Sequence, residues 1–276
     1  MNAINLINEP LPLLPKLVSL LPSPALTSLT GGGGKTSLMY GLGKYLSNLS
    51  ESDKKTRVLL ATTTKIAVPR GDAIDLLLGP PSVDALRSVF DGDAGHRLPL
   101  VGSGVTDDKV TGVDPAYLDG LMASGVADYA IVEADGAKML PFKAYESWEP
   151  VIPSSTAVQI VVAGAEILSE PLSTCNTFRL ALFRERWGNY VDAPLPFDLL
   201  ARVLDSEKEY MRGTAPFSKK MLLINKCDLL ARERSDRLTE VAKELSVRLA
   251  DYDYLALGSV RENKLYVFEH LRNCRR

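Results

Sequence analysis

The feature that most restricts the fold of this chain is a set of short apolar runs that do not alternate with polar residues. A strand with one face in water alternates, whereas a continuous apolar run indicates a strand covered on both faces, as in a parallel sheet. Stretches with helical periodicity separate these runs. We therefore predict an α/β fold with a doubly wound, mainly parallel sheet of about seven strands. The predicted strands are Ala25–Thr30, Arg57–Thr62, Leu98–Val101, Tyr129–Ala134, Val158–Ala163, Met221–Asn225 and Tyr254–Gly258.

Helices are expected between these strands. In residues 35–50 four leucines recur at every third or fourth position and would form one buried stripe. The helix over 114–124 opens with Asp114 as N-cap and Pro115 in its first turn. The predicted helices are Lys35–Ser50, Ser82–Phe90, Asp114–Ser124, Thr177–Trp187, Phe197–Leu204, Arg232–Ala250 and Leu265–Asn273.

Residues 30–37, TGGGGKTS, follow the first predicted strand and lead directly into the first long helix. This order is the context of a phosphate-binding loop, or P-loop. Glycine has no Cβ to block the backbone path, so successive N–H groups can converge on phosphate oxygens, and the helix N-terminus adds its dipole. Lys35 is expected to reach the β- and γ-phosphates, and the Thr36 hydroxyl to bind Mg²⁺. The expected nucleotide contacts are Gly31, Gly32, Gly33, Gly34, Lys35, Thr36 and Ser37.

The glycine run also sets the expected domain organisation. We predict a P-loop NTPase-like nucleotide-binding domain over residues 25–276, preceded by a proline-rich extension over residues 1–24. Residues 164–218 have the weakest strand pattern, and a helical insertion is expected there. The pattern GxxxxGK[ST] requires a glycine where this chain has Leu29, so the loop should differ in curvature from the standard one.

The predicted strand over 129–134 leads into two carboxylates, Glu133 and Asp135. In P-loop proteins an acidic side chain at the tip of a neighbouring strand holds Mg²⁺ or its water. Because the two residues lie two positions apart, they project to the same side of an extended chain. We assign both to the metal site with Thr36 and to the catalytic set with Lys35. One would bind the metal while the other orients the attacking water or receives a proton.

Residues 225–228, Asn-Lys-Cys-Asp, follow a late apolar strand and match the NKxD element of GTP-binding proteins. Asp228 would accept hydrogen bonds from the ring N–H and amino group of guanine, the stem of Lys226 would pack on the base, and Asn225 would brace the loops. Adenine presents no matching donor pair, so the carboxylate would be left unpaired. The element favours GTP as the bound nucleotide, with ATP as the alternative.

Composition argues against several other classes of protein. A net charge of −2 gives no broad basic surface for nucleic acid. The three cysteines (Cys175, Cys227, Cys274) and two histidines (His96, His270) are scattered, which indicates a reducing compartment and argues against structural zinc or a Ser-His-Asp triad. Five prolines interrupt the apolar residues 1–24, so neither a signal sequence nor a membrane span is expected. We expect a cytoplasmic protein without nucleic-acid or membrane partners.

The motifs occur together in the order of a known family. GGGGKTSLM, TTTKI, VEADGAK, EPVIP (149–153) and LINKCD resemble the selenium-dependent molybdenum hydroxylase accessory proteins. The resemblance covers about residues 25–260 and implies a P-loop protein that serves the maturation of such hydroxylases, with a molybdenum hydroxylase or another maturation factor as client. Trp148 stands where the family often has a histidine, and residues 176–179 keep only the arginine of a frequent His-Arg pair.

Three activities remain open from the sequence. The first is an Mg²⁺-dependent nucleoside triphosphatase that hydrolyses GTP or ATP slowly until a client stimulates it. The second is a small-molecule kinase or ligase, in which Lys65, Lys138 and Lys143 would neutralise an anionic acceptor. The third is a module that binds nucleotide without turnover.

Overall fold

A computed structural model describes residues 6–51, 54–71, 73–92, 98–190, 192–231 and 235–271. Ten of its strands form one sheet: β1 (Leu6–Pro12), β2 (Ala25–Gly31), β3 (Val58–Thr62), β4 (Ile74–Leu78), β5 (Leu98–Gly102), β6 (Tyr129–Glu133), β7 (Thr156–Gly164), β8 (Lys219–Asn225), β9 (Tyr254–Ser259) and β10 (Lys264–His270). Their order across the sheet is β1-β10-β9-β8-β7-β2-β6-β3-β5-β4. Neighbouring strands are parallel except at β10, which runs antiparallel to β1 and β9.

Helices cover both faces of this sheet. They are α1 (Leu13–Val18), α2 (Lys35–Ser47), α3 (Val83–Asp91), α4 (Pro115–Ala123), α5 (Leu180–Trp187), α6 (Phe197–Leu204), α7 (Asp228–Ala231) and α8 (Ser235–Arg248). Side chains on one face, such as Leu29 and Leu223, pack with α1 and α2. Side chains on the other face pack with α3 and α4 at one end and with α5, α6 and α8 at the other. No described helix has both the length and the apolar character that a bilayer span requires.

Short strands outside the main sheet complete the fold. They pair as Ile66–Ala67 with Lys109–Thr111, the latter with Gly104–Thr106, Phe142–Lys143 with Thr177–Phe178, and Ser50–Glu51 with Lys54–Lys55. Between β7 and β8 lie a 3-10 helix over Ala165–Leu168, one of these short strands, α5 and α6. At the N-terminus, β1 joins the sheet edge and α1 packs beside α2 through Leu13 and Leu17.

The predicted α/β class and mainly parallel sheet are confirmed, and all seven predicted strands are present. The predicted strand number is wrong, because β1, β4 and β10 extend the sheet to ten. These three lie at or near its edges, where strands are only partly covered and lack a long apolar run. Two prolines of β1, Pro10 and Pro12, are compatible with such an edge position.

The helix predicted over 265–273 is also wrong. Residues 264–270 form β10, in which Leu265 and Val267 are buried and their neighbours Lys264, Tyr266 and Phe268 are less so. This is the alternation of a half-covered antiparallel strand. The helix predicted from Thr177 instead begins at Leu180, because Arg179 adopts a left-handed conformation (φ 58°). The first part of the helix predicted from Arg232, the last residues of that predicted over 265–273, His96 and Cys274 lie outside the described residues.

The sheet brings four loops to one edge. β2 lies between β7 and β6: strands β3 to β6 lie on one side of it, and β7 to β10 together with β1 lie on the other. In register, Leu29 is opposite Glu133, Gly31 opposite Val162, and Gly164 opposite Asn225. The carboxyl ends of β2, β6, β7 and β8 therefore meet where ligands bind in doubly wound folds.

Candidate functional site

The glycine loop, residues Gly31–Gly34, connects β2 to α2 through a path that side chains would block. Gly34, the N-cap of α2, has φ 113°, a left-handed value that favours glycine. A Cβ on Gly33 would lie 2.4 Å from the backbone nitrogen of Gly164. The loop is thus pressed against the backbone of β7, which explains why the chain uses glycines here.

Backbone hydrogen bonds hold the loop in place. The N–H groups of Gly32 and Gly33 donate to the carbonyl oxygens of Val162 (2.8 Å) and Leu140 (2.9 Å). Inside α2, Leu38 N–H donates back to Gly34 O at 3.0 Å. The N–H groups of the first turn that precede Leu38 have no acceptor carbonyl within the helix, so they are available to an anion.

Lys35 begins α2 and is buried in an ion cluster. Its Nζ lies 2.9 Å from Asp135 Oδ1 and 3.7 Å from Glu133 Oε1, and it also donates to the carbonyl oxygen of Gly31. Burial by itself would lower the pKa of Lys35, but the charges of Asp135 and Glu133 outweigh it and raise the pKa. The ammonium group is therefore charged at neutral pH.

The surroundings shift the pKa values of the two carboxyl groups in opposite directions. Burial raises the pKa of Glu133, and the opposing effect of Lys35 does not cancel it. Burial also favours a higher pKa for Asp135. The charges of Lys35 and Lys143 and the hydrogen bond from Gly31 N–H (2.8 Å from Oδ2) outweigh it and lower the pKa. Asp135 is thus firmly ionised, whereas Glu133 takes up a proton at a higher pH than an ordinary glutamate.

Two side chains of α2 carry hydroxyl groups that Glu133 influences. The Thr36 hydroxyl donates to Glu133 Oε2 at 2.7 Å. Burial, together with the Glu133 charge, raises the pKa of Tyr40 to about 12, so this phenol stays protonated. Ser37, which the sequence also assigns to nucleotide contact, is exposed on the first turn of α2.

The Asn-Lys-Cys-Asp segment, residues 225–228, is tied to the glycine loop through Asn225. Asn225 Nδ2 donates to Gly33 O at 2.7 Å, and its Oδ1 accepts from Val260 N–H at 2.9 Å. This bracing agrees with the role that the sequence predicts for the asparagine. The Lys226 ammonium lies 2.5 Å from Glu166 Oε1.

Asp228 is the first residue of α7, and its side chain is 4% exposed. Its Oδ2 accepts from Arg261 Nη2 at 2.6 Å. The structure therefore joins Asn225 directly to the glycine loop. It pairs Lys226 and Asp228 with other side chains.

Comparison with known proteins adds a family to this geometry. The family model described as YqeC protein matches residues 27–181, more than half of the chain. The chain belongs to the YqeC family. It is 26% identical over 240 residues to a protein of Escherichia coli (strain K12) described as uncharacterized protein YqeC, and the match covers 87% of this chain and 89% of the relative.

The YqeC family region contains the glycine loop, Glu133 and Asp135, and it ends before Asn225. It also contains three charged residues that sequence reasoning left out of the site or placed differently: Lys143, Glu149 and Arg179. Neither family description names an activity, so the function is argued from the chemistry of the site.

These three residues extend the ion cluster away from Lys35. Lys143 is fully buried, and its Nζ lies 2.8 Å from Glu149 Oε2 and 3.5 Å from Asp135 Oδ2. Glu149 also pairs with the Arg179 guanidinium. The charge of Lys143 is therefore balanced inside the protein by Glu149 and Asp135. The EPVIP stretch of the sequence was the one available sign of Glu149.

A methyl group at Gly32 is expected to disturb the loop. Its Cβ would lie 2.5 Å from Leu140 O and 2.7 Å from Pro141 O, so Gly32→Ala should lower the free energy of unfolding by about 1–3 kcal/mol. Urea denaturation measures the change. Gly120→Ala is the control, because Gly120 lies within α4 and a Cβ added there would meet no atom within 4 Å. This substitution should be neutral or stabilise the protein by up to about 1 kcal/mol. Equal stabilities of the two variants would contradict the tight packing of the loop.

Proposed function

We propose that this protein is a P-loop nucleoside triphosphatase, which binds a nucleoside triphosphate with Mg²⁺ at the carboxyl end of β2. The observation that carries the proposal is the placement of Lys35. Its buried ammonium lies between two carboxylates at the start of a helix that follows a glycine loop. Three buried charges cost free energy and are weak evidence for a purely stabilising role, whereas such clusters are common at functional sites.

In this proposal the anionic phosphates bind at the N-terminus of α2. The N–H groups of its first turn and the helix dipole favour negative charge there. Lys35 would turn from Asp135 to the β- and γ-phosphates, where its charge stabilises the charge that develops during transfer. Glu133 would then lose its partner cation, whereas Asp135 would keep Lys143 at 3.5 Å.

The residues beside the loop fit magnesium. Mg²⁺ prefers oxygen ligands, retains several waters and is usually held by one or two carboxylates together with substrate phosphates. The Thr36 hydroxyl and the Glu133 carboxylate, 2.7 Å apart, offer such oxygens, and Asp135 contacts the same lysine. When bound, the ion would neutralise phosphate charge and replace the charge that Lys35 supplies to the carboxylates.

The carboxylates also divide the remaining chemistry. Glu133 lies beside the Thr36 hydroxyl and would hold Mg²⁺ together with it, so its charge would be engaged by the metal when nucleotide is bound. Asp135, whose pKa is lowered, remains an anion and holds the glycine loop through Gly31 N–H. We therefore assign the metal-ligand role to Glu133 and the anchoring role to Asp135.

The accessory role rests on the sequence resemblance. The motifs of this chain resemble those of the selenium-dependent molybdenum hydroxylase accessory proteins, and we propose that nucleotide turnover serves the maturation of such a client. A switch-like use of the nucleotide would suit the linked loops, because Asn225 connects the phosphate side of the site to the loop after β9.

A nucleotide titration tests the proposal. Purified protein is titrated with ATP and GTP in the presence of Mg²⁺, beside Lys35→Ala and Asp228→Ala variants. We expect nucleotide binding that Lys35→Ala weakens by between about tenfold and 100-fold, the equivalent of a lost charged hydrogen bond.

Turnover is then followed with and without a molybdenum hydroxylase client. Slow hydrolysis that the client accelerates supports the triphosphatase. Turnover only with an added small-molecule acceptor would favour the kinase or ligase instead. Failure of the wild type to bind either nucleotide would refute the proposal.

A further inference from the structure

The pair formed by Asp228 and Arg261 is unequal in exposure. The Asp228 side chain is 4% exposed, whereas that of Arg261 is 68% exposed, and Nη2 lies 2.6 Å from Oδ2. A buried carboxylate needs a partner, because leaving it unpaired costs free energy. An exposed arginine, by contrast, can leave a pair cheaply, since water solvates its guanidinium. The carboxylate is therefore fixed and its present partner is exchangeable.

The guanidinium and guanine share a chemical pattern. A guanidinium offers adjacent N–H donors on one carbon, in a plane that matches a carboxylate. The N1–H and 2-amino groups of guanine sit on one carbon in the same way, since the six-membered ring of guanine contains a guanidine unit. Adenine presents an acceptor at N1 beside its 6-amino donor, so it does not offer two adjacent donors to a carboxylate. A carboxylate that binds a guanidinium can therefore accept the same pair of hydrogen bonds from guanine.

We infer that Arg261 occupies, in the nucleotide-free protein, the place of the guanine edge, and that a guanine nucleotide must displace it from Asp228. This inference rests on the proposed nucleotide site and names its substrate class. Arg261 then determines both affinity and specificity: it masks the carboxylate from weak ligands, and only a base with the paired donors can replace it.

The position of Arg261 in the chain supports an exchange that is linked to the phosphate site. It follows Val260, whose N–H donates to Asn225 Oδ1, while Asn225 Nδ2 donates to Gly33 O. Cys227 N–H donates to Gly258 O at 3.0 Å, so the loop that follows β8 is held to the end of β9. The other cation of the element, Lys226, is engaged by Glu166. The backbone around Asp228 is thus prearranged, and the movement needed is that of one exposed side chain.

The test compares the full-length protein with Arg261→Ala and Arg261→Lys. Each is titrated with Mg²⁺ complexes of GTP, ATP and inorganic tripolyphosphate, the last of which reports on the phosphate site alone. Arg87→Ala is the matched control, because Arg87 forms an exposed pair with Asp84 on α3. Removing Arg261 leaves Asp228 unpaired until guanine binds, so we expect the GTP dissociation constant to fall about tenfold, while those for ATP and tripolyphosphate stay unchanged. Arg261→Lys should lie between Arg261→Ala and the wild type.

A chemical competition sharpens the result. Guanidinium ion, at concentrations well below those that unfold the protein, should weaken GTP binding to Arg261→Ala and leave ATP binding unaffected. Asp228→Asn, which keeps the volume and removes the charge, should abolish the preference for GTP. Unchanged or weaker GTP binding by Arg261→Ala, with tripolyphosphate still bound, would overturn the inference and leave the phosphate site intact. If the wild type does not bind tripolyphosphate, both this inference and the proposed function are overturned.

Discussion

Replacing Lys35 with methionine is expected to lower the free energy of unfolding by about 3 kcal/mol. This is the lower end of the range for breaking a buried ion pair, because Lys143 remains 3.5 Å from Asp135. The apolar stem of the side chain is kept, so the change measures the lost charge rather than a cavity. Lys44→Met is the control, since Lys44 is exposed on the same helix and its loss should be nearly neutral.

A second substitution separates the structural role of Lys35 from its binding role. Lys35→Met combined with Asp135→Asn removes both charges of the pair and should recover most of the lost stability in urea denaturation. Nucleotide binding should remain lost in the double variant, because the phosphates still lack the ammonium group. Full stability of Lys35→Met, or nucleotide binding by the double variant, would contradict the assignment.

The ion pair of Lys35 and Asp135 also predicts how the free energy of unfolding depends on pH. The pKa of Asp135 is lowered from 3.8 in the folded state, so its stabilising contribution is present above that value and is lost as the pH falls through the folded pKa. The pKa of Lys35 is raised from 10.5, so its contribution is complete below that value and is lost as the pH rises through the folded pKa. The stability difference between wild type and double variant should therefore be flat between these limits and shrink beyond them.

The sequence was sufficient for the elements whose pattern is local. The central strands are continuous apolar runs because both of their faces are buried, and all seven were predicted within two residues of their ends. The residues 264–270 mislead because KLYVFEH combines strand alternation with a following LR pair that continues a helical pattern. Only the pairing of β10 with β9 decides between the two, and that pairing depends on the rest of the sheet.

The site could be predicted where one motif carries its own geometry. A lysine after four glycines must begin the helix, and a carboxylate at the end of β6 must lie near it because β6 is next to β2. The partners of Lys143 could not be predicted in this way. Glu149 pairs with Lys143, and Arg179 reaches Glu149 from a separate segment, so these charges meet only after the loop that follows β6 has folded back. The Arg261 pair with Asp228 is hidden for the same reason.

Replacing Glu133 with glutamine is expected to remove most of the advantage that Mg²⁺ gives to nucleotide binding. The amide keeps the shape of the side chain and can still pair with the Thr36 hydroxyl, but it lacks the negative charge that a magnesium ion requires. Changes to the outer partners of metal ligands already cost about tenfold to 100-fold in metal affinity, and a direct ligand should cost at least as much. Isothermal titration with nucleotide in Mg²⁺ and in excess chelator measures the difference.

The pH dependence of Mg²⁺-assisted nucleotide binding tests whether Glu133 is the group responsible. Burial raises its pKa above 4.5, so the carboxyl gains its proton at a higher pH than an ordinary glutamate, and Mg²⁺-dependent affinity should fall as the pH is lowered through that raised pKa. The terminal phosphate of the nucleotide also titrates, near pH 6, but it does so equally for every variant. Glu133→Gln should therefore keep only the phosphate contribution, while Glu207→Gln, at an exposed turn after α6, should keep both. Identical pH profiles for wild type and Glu133→Gln would exclude Glu133 as the magnesium ligand and leave Asp135, which stays ionised throughout this range, as the carboxylate to test next.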